Sequence, residues 1–170
     1  MKASIKIGPS FFTKAKNDYT EWRWAWVREL AQNGIDAPGT TKIEFEFTRD
    51  EYGNTVASCC NNGAPMVHET LINKFLSIGE SGKGFRGTVG GFGKAKELIA
   101  FCHQSYKIHT GNLLVVGEGA EYDLSETNTI DGTKTTVVMS GDQRYALQQA
   151  VERFAATAQW DGTLTCNGQE

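Results

Sequence analysis

The sequence predicts a two-layer α/β sandwich in which helices cover one face of a mixed, mostly antiparallel sheet. Three observations predict this fold: a long helical segment near the N-terminus, two strand-like segments joined by a turn, and a later group of strand-like segments followed by another helix. At 170 residues, the chain has the length of one domain, which buries about two-thirds of its unfolded surface. We therefore treat residues 1–170 as a single domain.

The first long helix is predicted over residues 22–37, and Pro38 ends it. Helical spacing places Glu29, Asn33 and Asp36 on one face, at positions i, i+4 and i+7. This polar row is either a solvated stripe on a surface helix or one side of a functional site. A different face carries apolar or very small residues that can lie against a sheet: Val27, Leu30, Ala31 and Gly34.

Alternating hydrophobicity predicts the first two strands, over residues 41–47 and 55–60. Because a turn at residues 49–54 separates them, the pair is predicted to be a hairpin. The apolar spacing also predicts helices and strands further along the chain. The helices are residues 67–78, 92–105 and 143–160, and the strands are residues 106–109, 113–116 and 133–139.

The C-terminal residues carry a hairpin signal that has little chain after it. Asn167-Gly168 follows an alternating segment, which favours a tight hairpin, but only Gln169 and Glu170 remain for a return strand. We therefore expect the chain to be the N-terminal fragment of a longer protein. The missing C-terminal region would then contact a downstream protein or nucleic-acid partner.

Composition excludes several classes of protein. The formal net charge of −3 disfavours nonspecific attraction to nucleic acid or to an anionic membrane. No apolar run is long enough for a membrane span or a signal peptide, so we expect a cytoplasmic protein that does not bind membranes. The four cysteines show no C-x-x-C spacing and form no metal-ligand pattern with the histidines, which predicts free thiols.

Residues 79–93 contain seven glycines, which invites comparison with phosphate-binding loops. A Walker A loop is excluded, because neither Gly82-Lys83 nor Gly93-Lys94 has the required earlier glycine or a following Ser or Thr. The spacing Gly82-x-Gly84-x-x-Gly87 matches a dinucleotide fingerprint. It follows a predicted helix rather than a strand, however, which disfavours that interpretation.

Four segments taken together resemble the motifs of the Bergerat-type ATP-binding domain of gyrase, the ninety-kilodalton chaperones, histidine kinases and MutL (the GHKL family). Residues 29–37, ELAQNGIDA, resemble its E-x-x-x-N-x-x-D-A motif, and the order and spacing of all four agree over residues 29–139. The other three are NNGAPM at 61–66 in place of D-x-G-x-G, the glycine box GTVGGFGK at 87–94, and Gly132-Thr133 before a strand.

The resemblance implies the Bergerat ATP-binding fold and assigns roles to individual residues. Asn33 would be the Mg²⁺ ligand, Glu29 would orient or deprotonate the attacking water, and Asp36 would support the pocket wall. Residues 79–89 would be a lid that closes over ATP, and the glycine box would bind phosphate through backbone amides. The remaining nucleotide-binding residues that the resemblance implies are Asn61, Gly63, Met66, Lys83, Gly90, Gly91, Phe92, Gly93, Lys94 and Thr133.

One departure from the family concerns the base. Asn61 or Asn62 stands where the family has an aspartate that accepts a hydrogen bond from the adenine amino group, and Pro65 replaces the second glycine. An asparagine carbonyl can accept the same bond, but the amide nitrogen could instead repel the amino group or favour another base.

The function that the resemblance implies is Mg²⁺-dependent ATP binding and slow ATP hydrolysis, as the nucleotide-gated part of a larger machine. ATP and ADP would be its ligands, and ATP would promote a homodimer. Two alternatives stay open: a histidine kinase catalytic domain, which transfers phosphate to a partner's histidine, and a nucleotide-sensing interaction module without turnover. The Asp36-Ala37 ending of the first motif favours the gyrase, chaperone and MutL branches over the kinases.

Overall fold

A seven-stranded mixed sheet forms one layer of the protein in the computed structural model, which describes residues 1–5, 7–8, 10–77 and 95–170. Across the sheet the strands are ordered fifth, fourth, third, sixth, second, first and seventh. The strands are β1 (Lys42–Arg49), β2 (Thr55–Asn61), β3 (Ser105–Thr110), β4 (Leu113–Glu118), β5 (Glu121–Glu126), β6 (Thr133–Met139) and β7 (Thr163–Cys166).

Helices form the second layer. Two are long, α2 (Trp22–Asp36) and α4 (Arg144–Thr157); they pack against each other, α2 also contacts β2, and α4 contacts β1. The short helical segments are α1 (Ser10–Thr13) with a following 3-10 turn (Lys14–Asp18), α3 (His68–Thr70) with a following π-helical turn (Leu71–Phe75), and a second π-helical turn (Glu97–Phe101).

The strand directions confirm the predicted mixed, mostly antiparallel sheet. Every neighbouring pair is antiparallel except β1 and β7, which run parallel with Lys42 beside Thr163. The β1–β2 pair is the predicted hairpin. The two-layer α/β sandwich expected from the sequence is therefore the architecture of the described residues.

The core lies between the sheet and α2, because β1 alternates between a buried and a wet face. Ile43, Phe45 and Phe47 are buried, as the alternating pattern predicted. Trp26 on α2 is fully buried, with its ring 6.2 Å from Phe45 and 6.3 Å from Phe47. Its indole Nε1–H donates a hydrogen bond of 3.0 Å to the Ile99 carbonyl. This polar contact fixes the depth of α2 over the sheet.

Several predicted boundaries are wrong. The predicted helix 67–78 is a short α-helix and a π-helical turn that end at Phe75, and the helix predicted to reach residue 105 ends at Phe101. The fifth strand, Glu121–Glu126, was not predicted, because nearly all its side chains are exposed and polar. At the C-terminus the Asn167-Gly168 turn is present, but β7 itself pairs with β1.

Among the helices of the described ranges, none is long and apolar enough to cross a membrane. All four cysteines are free thiols, as predicted. No cluster of three or more His, Cys, Asp or Glu side chains among these residues has the arrangement to hold a metal ion.

His103 is a buried histidine packed near the start of α2. Its Nε2–H donates a 2.7 Å hydrogen bond to the Leu98 carbonyl, while Nδ1 is buried without a hydrogen-bond partner. The ring lies 6.0 Å from that of Trp22. Burial lowers the pKa of His103 to about 3, and the nearby charge of Lys16 lowers it further in the same direction.

We expect His103 to make the folded state acid-sensitive. A histidine in the unfolded chain has a pKa of about 6.5. Between that value and the native pKa of about 3, the unfolded chain therefore binds more protons than the folded one. The stability due to neutral His103 is therefore complete above the unfolded pKa and falls with acidification, by up to about 1.4 kcal/mol per pH unit. His103→Gln, which keeps a donor for Leu98, should flatten this slope in urea unfolding measured from pH 7.5 to 5.

The exposed His68 provides the control for this measurement. His68→Gln removes a histidine without changing a buried site and should leave the wild-type slope unchanged. Equal slopes for wild type and His103→Gln would show that another group causes the acid sensitivity.

Candidate functional site

The C-terminal half of α2 lies close to the ends of β1 and β2 because residue 34 is a glycine. A Cβ atom at Gly34 would lie 2.9 Å from Ile43 Cδ1 and 3.3 Å from Asn61 Cβ. A larger residue would therefore have to displace the Ile43 side chain and would press against Asn61 Cβ. This close packing places Asn33, the residue before Gly34 on α2, near the strand ends that carry the other candidate residues.

The strand register brings three polar residues into one row on the helix-covered face. Asn61 on β2 pairs with Thr133 on β6, and Thr133 pairs with Thr110 on β3. The Thr110 and Thr133 hydroxyl oxygens lie 2.8 Å apart, and Thr110 Oγ1 accepts a 2.7 Å hydrogen bond from the Met66 backbone N–H. Because Thr110 is fully buried, its hydroxyl holds the Thr133 hydroxyl from the side of the core.

The turn after β2 is tied to both Asn61 and α2. Asn61 Oδ1 accepts a 3.1 Å hydrogen bond from the Gly63 backbone N–H, which is the local bond typical of an asparagine turn. A Cβ atom at Gly63 would overlap the Thr40 hydroxyl and lie 2.8 Å from Ala37 Cβ. Gly63 is therefore required by close packing where the turn meets the end of α2.

Asn62, the alternative to Asn61 at this position, has a different role. Its side-chain oxygen accepts hydrogen bonds of 2.9 Å from the backbone N–H groups of Thr41 and Lys42, and its Nδ2 donates to the Thr41 hydroxyl at 2.8 Å. Both halves of the amide thus hold the beginning of β1. Asn61, and not Asn62, is the asparagine that joins the polar row.

Gly132 supports Asn61 from the neighbouring chain segment. Its backbone φ is +84°, and a Cβ atom there would overlap the Asn61 carbonyl oxygen. Only glycine combines this left-handed backbone with so close an approach. The Gly132-Thr133 pair at the start of β6 therefore sets the position of Asn61 as well as that of Thr133.

The three polar candidates on α2, Glu29, Asn33 and Asp36, differ in their exposure. The Glu29 side chain is 13% exposed, and its Oε1 forms an ion pair with Arg28 Nη2 at 3.0 Å. Asp36 is exposed and accepts a 3.1 Å hydrogen bond from Gln32. Asn33 is half-buried, and its side-chain amide has no hydrogen-bond partner within the described part of the chain. Glu29 and Asn33 are thus the two of these three α2 candidates that are partly buried.

The sequence pointed to neither Thr110 nor Tyr19, which also lie near these residues. Thr110 belongs to no recognisable motif, and only the pairing of β3 with β6 reveals it. Tyr19 precedes α2, where burial and then the negative charge of Glu29 raise the pKa of its phenol. That electrostatic influence identifies Tyr19 as a neighbour of the Glu29 carboxylate.

The predicted phosphate-binding half of the site lies outside the described residues. Lys83, Gly90, Gly91, Phe92, Gly93 and Lys94 lie outside the described residues, as does the whole proposed lid at 79–89. The described half contains the remaining candidates, which are Glu29, Asn33, Asp36, Asn61, Gly63, Met66 and Thr133.

No known protein-family profile matches the chain, and a search of curated proteins finds no match. The site is therefore interpreted from its residues and their geometry. Its described part holds the Glu29 and Asp36 carboxylates, the Asn33 amide, which has no hydrogen-bond partner among the described residues, and a row of amide and hydroxyl groups at the ends of three strands.

Proposed function

We propose that this protein binds a purine nucleoside triphosphate with Mg²⁺ and hydrolyses it slowly, ATP being the nucleotide that the motif resemblance implies. The observation that carries the proposal is the hydrogen-bonded group of Asn61, Gly63, Met66 and Thr133 beside α2. Asn61, Gly63 and Met66 belong to the motif at 61–66, whereas Thr133 belongs to a motif far along the chain that only the pairing of β2 with β6 brings beside it. Their convergence next to the helix that carries Glu29 and Asn33 supports a common ligand.

The row of polar groups suits the edge of a planar base. Asn61 offers an amide, and Thr133 offers a hydroxyl that can donate or accept. Thr110 holds the Thr133 hydroxyl at 2.8 Å, so the group that meets the base is oriented before it binds. Such preorganisation lowers the entropic cost of binding.

The residues present fit a magnesium ion that is shared with the nucleotide. Mg²⁺ prefers six oxygen ligands and usually keeps several waters, with substrate phosphates supplying the rest. Asn33 would contribute its side-chain oxygen, which has no protein partner among the described residues. When bound, the ion would neutralise negative charge on the triphosphate.

Glu29 would act as the general base for hydrolysis. Its carboxylate lies one helical turn before Asn33, close enough to the same end of the site to accept a proton from the attacking water. Arg28 Nη2 contacts one of the two carboxylate oxygens, Oε1, at 3.0 Å, which orients the carboxylate but competes with the water for that oxygen. Turnover therefore requires Glu29 to leave at least one oxygen free.

That ion pair favours a second candidate function, a nucleotide-sensing module that binds without turnover. If Arg28 holds the carboxylate away from water, the same base-recognition row would still bind the nucleotide. The nucleotide hydrolase and the binding module without turnover differ only in whether phosphate is released.

The proposal is tested by isothermal titration with Mg²⁺ and purine nucleoside triphosphates, comparing wild type with Asn33→Ala. We expect Asn33→Ala to weaken triphosphate binding by about 10-fold or more in Mg²⁺, because an ion ligand is lost, and to have little effect with EDTA present. Asn17→Ala, at an exposed asparagine outside the site, is the control and should bind as wild type. Absence of binding by every purine triphosphate would overturn the proposal.

A further inference from the structure

The Asn61 amide has a defined orientation. Its oxygen accepts the Gly63 backbone N–H at 3.1 Å, and a backbone N–H can bond only to the oxygen of an amide, never to its NH₂ group. The NH₂ half consequently points away from Gly63, and it has no hydrogen-bond partner among the residues that the structure describes. The Asn61 side chain thus presents this NH₂ group to a ligand as a hydrogen-bond donor.

A donor at this position discriminates between purines by the group at position 6. Adenine carries an amino group there, which is itself a donor, whereas guanine and hypoxanthine carry a carbonyl oxygen, which is an acceptor. The Asn61 NH₂ group can therefore bond to a 6-oxopurine directly. Adenine would place two donors face to face, or force the amide to flip and leave the Gly63 N–H unpaired.

The threonine pair does not oppose this preference. Because hydroxyls donate and accept, the hydroxyls of Thr133 and Thr110 can reverse the direction of their shared 2.8 Å bond. Thr133 can thus accept from the N1–H of a 6-oxopurine or donate to the unprotonated N1 of adenine. Asn61 is therefore the group that discriminates between a 6-oxopurine and adenine.

We propose that the nucleotide of this site is a 6-oxopurine triphosphate, of the guanosine or inosine class, selected by the Asn61 amide. This inference rests on the proposed function, and it changes the substrate class from the one that the motif resemblance implies. The roles proposed for Asn33 and Glu29 are unchanged, since they concern the metal ion and the attacking water rather than the base. The preference should be about 10-fold or more, because one base pairs with the Asn61 NH₂ group and the other leaves that group or the Gly63 N–H without a partner in the complex.

The test compares ITP with ATP in Mg²⁺ on the same chain, because these nucleotides differ only at position 6 and in the proton on N1. Binding of GTP is measured as well, to learn whether the site also accepts a 2-amino group on the base. Wild type should bind ITP more tightly than ATP. Asn61→Asp should reverse the order, because a carboxylate keeps the Gly63 bond and presents an acceptor to the adenine amino group.

Asn62→Asp is the matched control, since it makes the same chemical change one residue later in a side chain that holds β1. It should keep the wild-type preference. Tighter or equal binding of ATP by wild type would overturn the inference while leaving the proposed function intact. Retention of the ITP preference in Asn61→Asp would show that another group reads the base. Failure of all three nucleotides to bind would overturn the proposed function and the inference with it.

Discussion

Replacing Glu29 with glutamine is expected to lower the rate of nucleotide hydrolysis by about 10²- to 10⁴-fold, the usual contribution of a general base. Glutamine keeps the size and one acceptor oxygen of glutamate but does not accept a proton at neutral pH. Nucleotide affinity should change by no more than a few-fold, because Glu29 acts on water rather than on the nucleotide. Phosphate release under single-turnover conditions, measured beside isothermal titration, separates these two quantities.

Glu152→Gln is the control, since Glu152 is an exposed carboxylate on α4 and should leave both quantities unchanged. Arg28→Gln supplies a second comparison. It removes the partner that contacts Glu29 at 3.0 Å, so hydrolysis should persist or rise. Unchanged hydrolysis in Glu29→Gln would refute its role as base. Binding without any phosphate release by wild type and Arg28→Gln would instead favour the module without turnover.

The second large effect is on stability: Gly132→Ala should reduce the free energy of unfolding by about 3 kcal/mol or more. Two costs combine at this position. The left-handed backbone with φ of +84° disfavours any side chain, and the new methyl group would overlap the Asn61 carbonyl oxygen. Because the obstacle is backbone, relief requires the end of β2 to move. Urea unfolding followed by circular dichroism measures the loss.

Gly168→Ala is a close match for this change, because Gly168 has a φ of +83° with no atom near the added Cβ. It isolates the backbone cost, which is about 1–2 kcal/mol. The difference between the two variants is therefore the cost of the overlap with Asn61. Equal losses would mean that the chain around Gly132 shifts freely and that this glycine does not fix the position of Asn61.

Local periodicity explains which parts of the fold the sequence predicted. Alternating residues such as Phe45 and Phe47 fill the core from one face of β1, and the apolar face of α2 lies on them as predicted. The fifth strand gives a weaker signal, because only Tyr122 and Leu124 alternate in it and only Leu124 is partly buried against the core. Strand order across the sheet also depends on contacts between distant segments, which no local pattern records.

The same distinction applies to the candidate site. Glu29, Asn33 and Asn61 belong to short motifs, so each was identified without knowing what lay beside it. Thr110 was not, because its contact with Thr133 is created by the register of β3 and β6. The direction of the Asn61 amide also depends on a neighbour, the Gly63 N–H, and the Arg28–Glu29 pair depends on side-chain rotamers. Sequence motifs therefore named candidates, while the register and local contacts decided which groups they present.

The parallel pairing of β1 with β7 has a consequence for how the molecule is assembled. Lys42 lies beside Thr163, and β2 lies beside β6, so strands formed early in the chain receive their neighbours from its last third. Loops this long must close before those pairings contribute, which slows folding relative to a sheet of sequential hairpins. During synthesis the β1–β2 hairpin would leave the ribosome with both edges unpaired. Until β6 and β7 arrive, those edges are the part of the chain most prone to pair with another molecule.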